Sequence, residues 1–248
     1  MFTRGQGQLA GILIALLFAA AGATGAGLWD DRPVRVMQTV DMHFPPSLLF
    51  EGITQGSVRV VLEIDADGKL TDFLVTGFTR PELAAELQRA LPTFEFQPAH
   101  QRGVPIGTRS ESNFMFEARG TVLSLSPISA AGAQFNVLPT SMTMLVARST
   151  DLDHPMKALH RVNPMHPGRI LGPNHSAGKA QLDFYIDGEG RPRMPVALRA
   201  THEAFAAAAV DALLQWRFER PTHQGRAVIV RVVMEFVFPA TAGTAASD

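Results

Sequence analysis

The chain contains no cysteine, which excludes disulfide frameworks, thiolate zinc sites and thiol nucleophiles and leaves histidine and carboxylates as the available metal ligands. It also lacks an excess of either charge: 22 Lys and Arg stand against 23 Asp and Glu, for a net charge of -1. A chain without a positive field has little to attract a phosphate backbone, which argues against nucleic acid as a partner. Catalytic signatures are missing too. There is no G-x-S-x-G, no H-E-x-x-H and no Ser-His-Asp set at triad spacing, so an enzyme is not expected. Gly5, Gly7 and Gly11 lack the strand, Lys and Ser/Thr of a phosphate loop. What remains is 248 residues with 46% hydrophobic content, enough for the core of one large or two small domains.

The N-terminus has the order of a secretory signal. A single charge at Arg4 precedes an apolar run from Leu9 to Ala21 and a small-residue stretch from Gly22 to Gly27. Ala21-Gly22-Ala23 supplies an A-x-A cleavage site, and a second cut falls after Ala26. Left uncut, Leu9 to Trp29 could just cross a bilayer core of about 30 Å as an anchor. Either outcome places the remaining chain outside the cytoplasm.

The organisation of that remainder is set by a repeat. Gly56/Gly178, Asp65/Asp187, Gly68/Gly190, Phe96/Phe218, Gly103/Gly225, Phe114/Phe236 and Phe116/Phe238 are all separated by 122 positions. Pro45/Pro167, Leu49/Leu171, Ile64/Ile186, Thr79/Thr201, Leu91/Leu213 and Arg109/Arg231 keep the same ungapped spacing. We therefore read a leader at 1–26, a short linker at 27–42, a first domain at 43–120, a connector at 121–160, a second domain at 161–240 and a loose tail at 241–248. The connector holds Val122-Leu123, Phe135 to Leu138 and Met142 to Val146, too apolar for a free linker, and is expected to form short strands or a packed connection.

Each copy gives the same element order. Val58, Val60, Leu62 and Ile64 alternate with Arg59, Val61, Glu63 and Asp65, the period of a strand with one buried face, and Ala180, Leu182, Phe184 and Ile186 repeat it. Asp65-Ala66-Asp67-Gly68 and Asp187-Gly188-Glu189-Gly190 supply tight turns into a returning strand, Leu70 to Phe78 or Met194 to Leu198. Pro192 and Pro195 place that second strand on a sheet edge. A helix follows, with Thr79 and Glu82 as a capping box and Leu83, Leu87, Ala90 and Leu91 at helical spacing, matched by Phe205, Ala209, Ala212 and Leu213. Trp216 and Phe218 belong to the core, and the last strand runs from Val104 to Phe116 and from Arg226 to Phe238. The expected fold class is α+β, with each copy a three-stranded antiparallel sheet carrying a helix on one face. Its third strand is then an open edge, a row of unpaired amides and carbonyls that another strand can join.

Taken together, Asn163-Pro164-Met165-His166-Pro167, Gly178, Ile186 to Gly190, the alanine-rich helix, Trp216-Arg217-Phe218 and the Val232 to Phe238 strand resemble the C-terminal domain of TonB. The first copy resembles it through Phe44-Pro45-Pro46, Gly56, Asp65 to Gly68, Phe94 to Ala99 and Gly103. The resemblance implies two tandem TonB C-terminal-like domains in the periplasm, non-catalytic and without cofactor or metal. Its implied partner is a protein, with the extended TonB-box peptide of an outer-membrane transporter captured by strand addition to the third strand. Carried over by position, the partner-binding residues are Thr108, Arg109, Ser110, Glu111, Ser112 and Asn113 in the first copy and Val230, Arg231, Val232, Val233, Met234 and Glu235 in the second. Only about 15 residues separate the apolar leader from the first copy, which cannot cross a periplasm. That favours a soluble or short-tethered accessory binding protein over a complete energy transducer. The alternative is a scaffold in which the two third strands pair with each other into one six-stranded assembly.

Other candidate sites have simpler explanations. Asp65 to Gly68 begins like a calcium loop, but Lys69 and Thr76 stand where that loop needs an oxygen ligand and a Glu. His154, His160, His166 and His175 have a spacing that neither helix nor strand gathers on one face, so they read as loop histidines.

Overall fold

The computed structural model describes residues 31–38, 42–118, 125–127, 141–171 and 177–240. The leader with its two cleavage sites, the connector segments at 122–123 and 135–138, His175 and the tail at 241–248 lie outside the described residues. Among those that are described, no helix is long and apolar enough to cross a membrane. The chain divides into two units, Met1–Thr143 and Met144–Asp248.

Unit 1 contains β1 (Arg35–Gln38), α1 (Pro46–Phe50), β2 (Gln55–Ile64), β3 (Leu70–Phe78), α2 (Pro81–Ala90), β4 (Glu95–Gln97), β5 (Ala99–Gln101), β6 (Val104–Ile106), β7 (Thr108–Glu117) and β8 (Leu125–Pro127). The main sheet has the order β8-β7-β2-β3-β9, where β9 is Thr143–Met144 at the unit boundary. Unit 2 contains β10 (Val146–Ala147), β11 (Ala158–His160), α3 (Gly168–Leu171), β12 (Gly178–Ile186), β13 (Pro192–Ala200), α4 (Glu203–Leu213), β14 (Arg217–Phe218), β15 (Thr222–His223), β16 (Arg226–Ala227) and β17 (Ile229–Phe238). Its main sheet has the order β10-β17-β12-β13, with the proline-bearing β13 at one edge because Pro192 and Pro195 cannot donate to a further neighbour.

The apolar positions do the folding work. Leu83 and Leu87 seat α2 on β2 and β3, and Phe205, Ala209 and Leu213 seat α4 on β12 and β13. In unit 2 these side chains join Leu182, Phe184, Ile186, Trp216, Phe218, Phe236 and Phe238 in one core. Burying each large member contributes on the order of 1.5–3 kcal/mol. The Trp216 indole N–H, which could not be left bare there, donates to the Val162 carbonyl at 2.8 Å.

The two units share their hydrogen-bond register as well as their element order. Gly56 opposes Phe116 and Ile64 opposes Thr108 in the β2–β7 ladder; 122 positions on, Gly178 opposes Phe238 and Ile186 opposes Val230. The β2–β3 ladder slips between Arg59 and Val60, and the β12–β13 ladder slips between the equivalent Gln181 and Leu182. Gly68 and Gly190 both adopt positive φ, and a Cβ at either would stand 2.2 or 2.1 Å from the carbonyl oxygen of Phe96 or Phe218. That double constraint, backbone hand and close approach, is why both turns carry glycine.

Several expectations are corrected. Neither main sheet is three-stranded, because short connector strands add to the third strand of each: β8 to β7 and β10 to β17. β7 and β17 belong to separate sheets rather than to one shared ladder. The residues read as a linker bury Val34 and Val36 and include β1, which pairs with β4 just as β11 pairs with β14. The Thr79 capping box does not form. The cap position of α2 is Arg80, followed by Pro81, and the Thr79 hydroxyl instead accepts the Ser57 backbone N–H at 2.9 Å. Thr201 does the same for Lys179 at 3.0 Å, while α4 is capped by His202, whose Nδ1 accepts from Ala204 N–H. Lastly, β2 and β12 are not buried on one face alone: Val61 and Asp183 are each 1% exposed although both lie in the phase opposite the helix.

Candidate interaction edge

Strand addition needs backbone groups that point away from the sheet, so the geometry of β7 and β17 decides which residues can offer them. In unit 1 the middle of that row is taken. Ser112, Asn113 and Phe114 oppose Pro127, Ser126 and Leu125 of antiparallel β8. Thr108, Arg109, Ser110 and Glu111 lie beyond its end. There Thr108 and Ser110, with Asp31, Arg32, His100 and Ile106, line a cleft of about 330 Å³. The inward positions Thr108, Ser110 and Ser112 carry hydroxyls where unit 2 carries Val230, Val232 and Met234.

In unit 2 the connector covers less. β10 runs parallel to β17 and touches only its first residues, Val146 opposing Ile229 and Ala147 opposing Val230. The Ile229 N–H donates to the Leu145 carbonyl at 2.7 Å, which fixes the outward phase of the strand. With a period of two, Val233, Glu235 and Val237 also aim their N–H and C=O groups away from β12. Val232 and Met234 hydrogen-bond toward β12 instead. From Val232 to Phe238 no strand lies on the outer side of β17 among the described residues.

The side chains along this edge fall into two rows. Facing the helix, Val230 is buried and Val232 and Met234 are half-buried against the core. On the opposite face Val233 and Val237 are 51% and 58% exposed, and between them the Glu235 carboxylate meets Lys179 Nζ at 3.0 Å. Arg231, one of the residues carried over as partner-binding, forms a bidentate pair with Asp183: Nη2 lies 2.6 Å from Oδ2 and Nε lies 3.0 Å from Oδ1. Its fork satisfies a carboxylate that the sheet has buried, so this arginine holds β17 to β12.

Two aspartates hold turns near the start of the edge strand. Asp187 closes the β12–β13 turn by accepting the N–H groups of Glu189 and Arg191, and Asp65 closes the equivalent turn through Asp67 and Lys69. Burial works against the Asp187 charge. The Arg191 N–H and guanidinium, together with Arg193, outweigh it and hold the carboxyl below its ordinary range. Asp153 accepts the N–H groups of Gln224 and Gly225 at 2.7 and 2.9 Å, pinning the β15–β16 turn that feeds β17. The Gly225 N–H leads the causes that lower its pKa, followed by the Thr222 hydroxyl. In unit 1 Asp31 accepts from Arg102 N–H at 2.7 Å in the equivalent turn.

The aspartate clasp was missed in reading the sequence, although its signal was present: Asp31/Asp153 and Pro33/Pro155 keep the 122-residue spacing and extend the repeat before its expected start. The histidines are dispersed. His166 stacks edge-on to Phe205 and Phe238, and His223 contacts the Asp151 carbonyl. Among the described residues no group of three or more His, Asp or Glu is placed to hold a metal.

No family model and no curated protein matches this chain. Among solved structures, a solution NMR structure of the Pseudomonas aeruginosa TonB CTD is similar at 23% identity and a TM-score of 0.32, covering 39% of this chain and 95% of that one. The fold described here thus has a TonB C-terminal domain among its weak structural neighbours.

Proposed function

We propose that this chain is an exported, periplasmic, non-catalytic protein-binding protein with two tandem TonB C-terminal-like domains. In this reading it associates with TonB-dependent outer-membrane transport and takes up an extended protein segment, such as a TonB-box peptide, as an added strand. The observation that carries the reading is the edge of β17, where Val233, Glu235 and Val237 present outward backbone groups beside two exposed valines. Backbone bonds to those residues would supply affinity, and the two side-chain rows would supply selectivity. The ordered sequence resemblance to TonB points the same way.

The test removes one outward donor of β17 and compares it with a change at the far edge of the same sheet. Val233→Pro removes an outward donor, and a synthetic TonB-box peptide should then bind the full chain roughly tenfold or more weakly, as expected for losing a hydrogen bond or two and adding a steric block. Leu198→Thr, at an exposed position of β13 on the opposite edge of the same sheet, leaves β17 intact and should bind within about twofold of wild type. Unchanged binding by a folded Val233→Pro protein refutes strand addition at this edge.

A further inference from the structure

Strand addition by itself does not say which segments the edge prefers, but the side-chain rows do. We infer that β17 selects extended segments that carry a basic residue between two apolar residues at alternate positions, with Glu235 as the residue that reads the base. This rests on the strand-addition reading of the same edge.

The three outward-phase residues available to a neighbour are Val233, Glu235 and Val237, and their side chains share the face opposite the helix. An added strand places alternate side chains directly beside them, at cross-strand distance. Exposed Val233 and Val237 favour apolar partners. Glu235 favours a cation: its side chain is half exposed, and Lys179 Nζ occupies one side of a carboxylate that can accept from several directions. On the other face the neighbours are half-buried Val232 and Met234, which extend the core toward the edge and favour apolar side chains again. Because Glu235 is the centre of the outward row, the pattern reads the same for a parallel or an antiparallel segment. Unit 1 has no counterpart, since Asn113 stands at the equivalent position and already opposes Ser126 of β8.

The experiment uses the full chain and three peptides with the core Val-Leu-X-Leu-Val in soluble flanks, where X is Lys, Gln or Glu. Wild type should bind the Lys peptide about two- to tenfold more tightly than the Glu peptide at low salt, with the gap narrowing at high salt. Glu235→Lys combined with Lys179→Glu keeps the internal ion pair while reversing the charge at the edge, and should invert the order. Val233→Pro should weaken all three peptides alike. If the order survives charge reversal while Val233→Pro still abolishes binding, the inference fails and strand addition stands. If Val233→Pro has no effect, or wild type binds none of the peptides, the strand-addition reading fails with it.

Discussion

Gly178→Ala tests whether the close approach between the first strand and the helix, made in both units, fixes the fold. A Cβ on Gly178 would lie 2.3 Å from Phe205 Cε2 and 2.5 Å from both Cδ2 and Cζ, so the whole ring edge is in the way. Phe205 is fully buried, with its centroid 4.9 Å from Phe238, and cannot swing aside without displacing the core. Overpacking of this kind costs about 1–3 kcal/mol. For a unit near 100 residues, that lowers the melting midpoint by roughly 5–20 °C. The equivalent Gly56→Ala would set a Cβ 2.2 Å from Leu83 Cδ1 and 2.7 Å from Thr79 Oγ1, and both neighbours are buried, so it should destabilise unit 1 as well. The assay is thermal and urea unfolding of Gly178→Ala, Phe205→Leu and the pair. The double variant should be at least about 1 kcal/mol more stable than the sum of the singles predicts, because the shorter side chain relieves the clash. Additive losses, or a Gly178→Ala protein as stable as wild type, would show that the contact does not determine packing.

Two further outcomes follow from paired residues. Thr79→Val should destabilise more than Thr201→Val in denaturant titrations: Thr79 and Ser57 are both buried, so the Ser57 N–H loses its hydroxyl acceptor at a cost of about 1–3 kcal/mol, whereas Lys179 and Thr201 lie in water. Equal effects would contradict this assignment. Asp187 has a folded pKa below its ordinary value of 3.8, so its contribution is complete above that value and is lost as pH falls through the lower folded value. Acid unfolding followed from pH 6 to pH 2 should therefore be shallower in Asp187→Asn than in wild type; parallel curves would rule out Asp187 as a contributor.

Much of this architecture was legible in the sequence because side-chain periodicity reports directly on burial. Val58, Val60, Leu62 and Ile64, the helical spacing of Leu83 and Leu87, and the core placement of Trp216 and Phe218 needed only the alternation of apolar and polar residues. The turn glycines were legible too, since an Asp-x-x-Gly sequence implies a sharp reversal. Thr79 misled because its spacing to Glu82 suits a helix cap, while the hydroxyl met the Ser57 amide across the sheet, a partner distant in sequence.

The candidate edge was only half readable. Duplication and the resemblance to TonB singled out the third strand in each copy. Which of its residues aim their amides outward depends on how β17 is bonded to β12 and β10, and no side-chain pattern records it. Nor could composition show that β8 covers Ser112 to Phe114 while β10 stops at Val230. The sequence by itself determined two matching patterns of buried and wet residues, because burial acts on one side chain at a time. Tertiary structure decided which backbone edge stays available, because hydrogen-bond pairing joins residues that local pattern cannot relate.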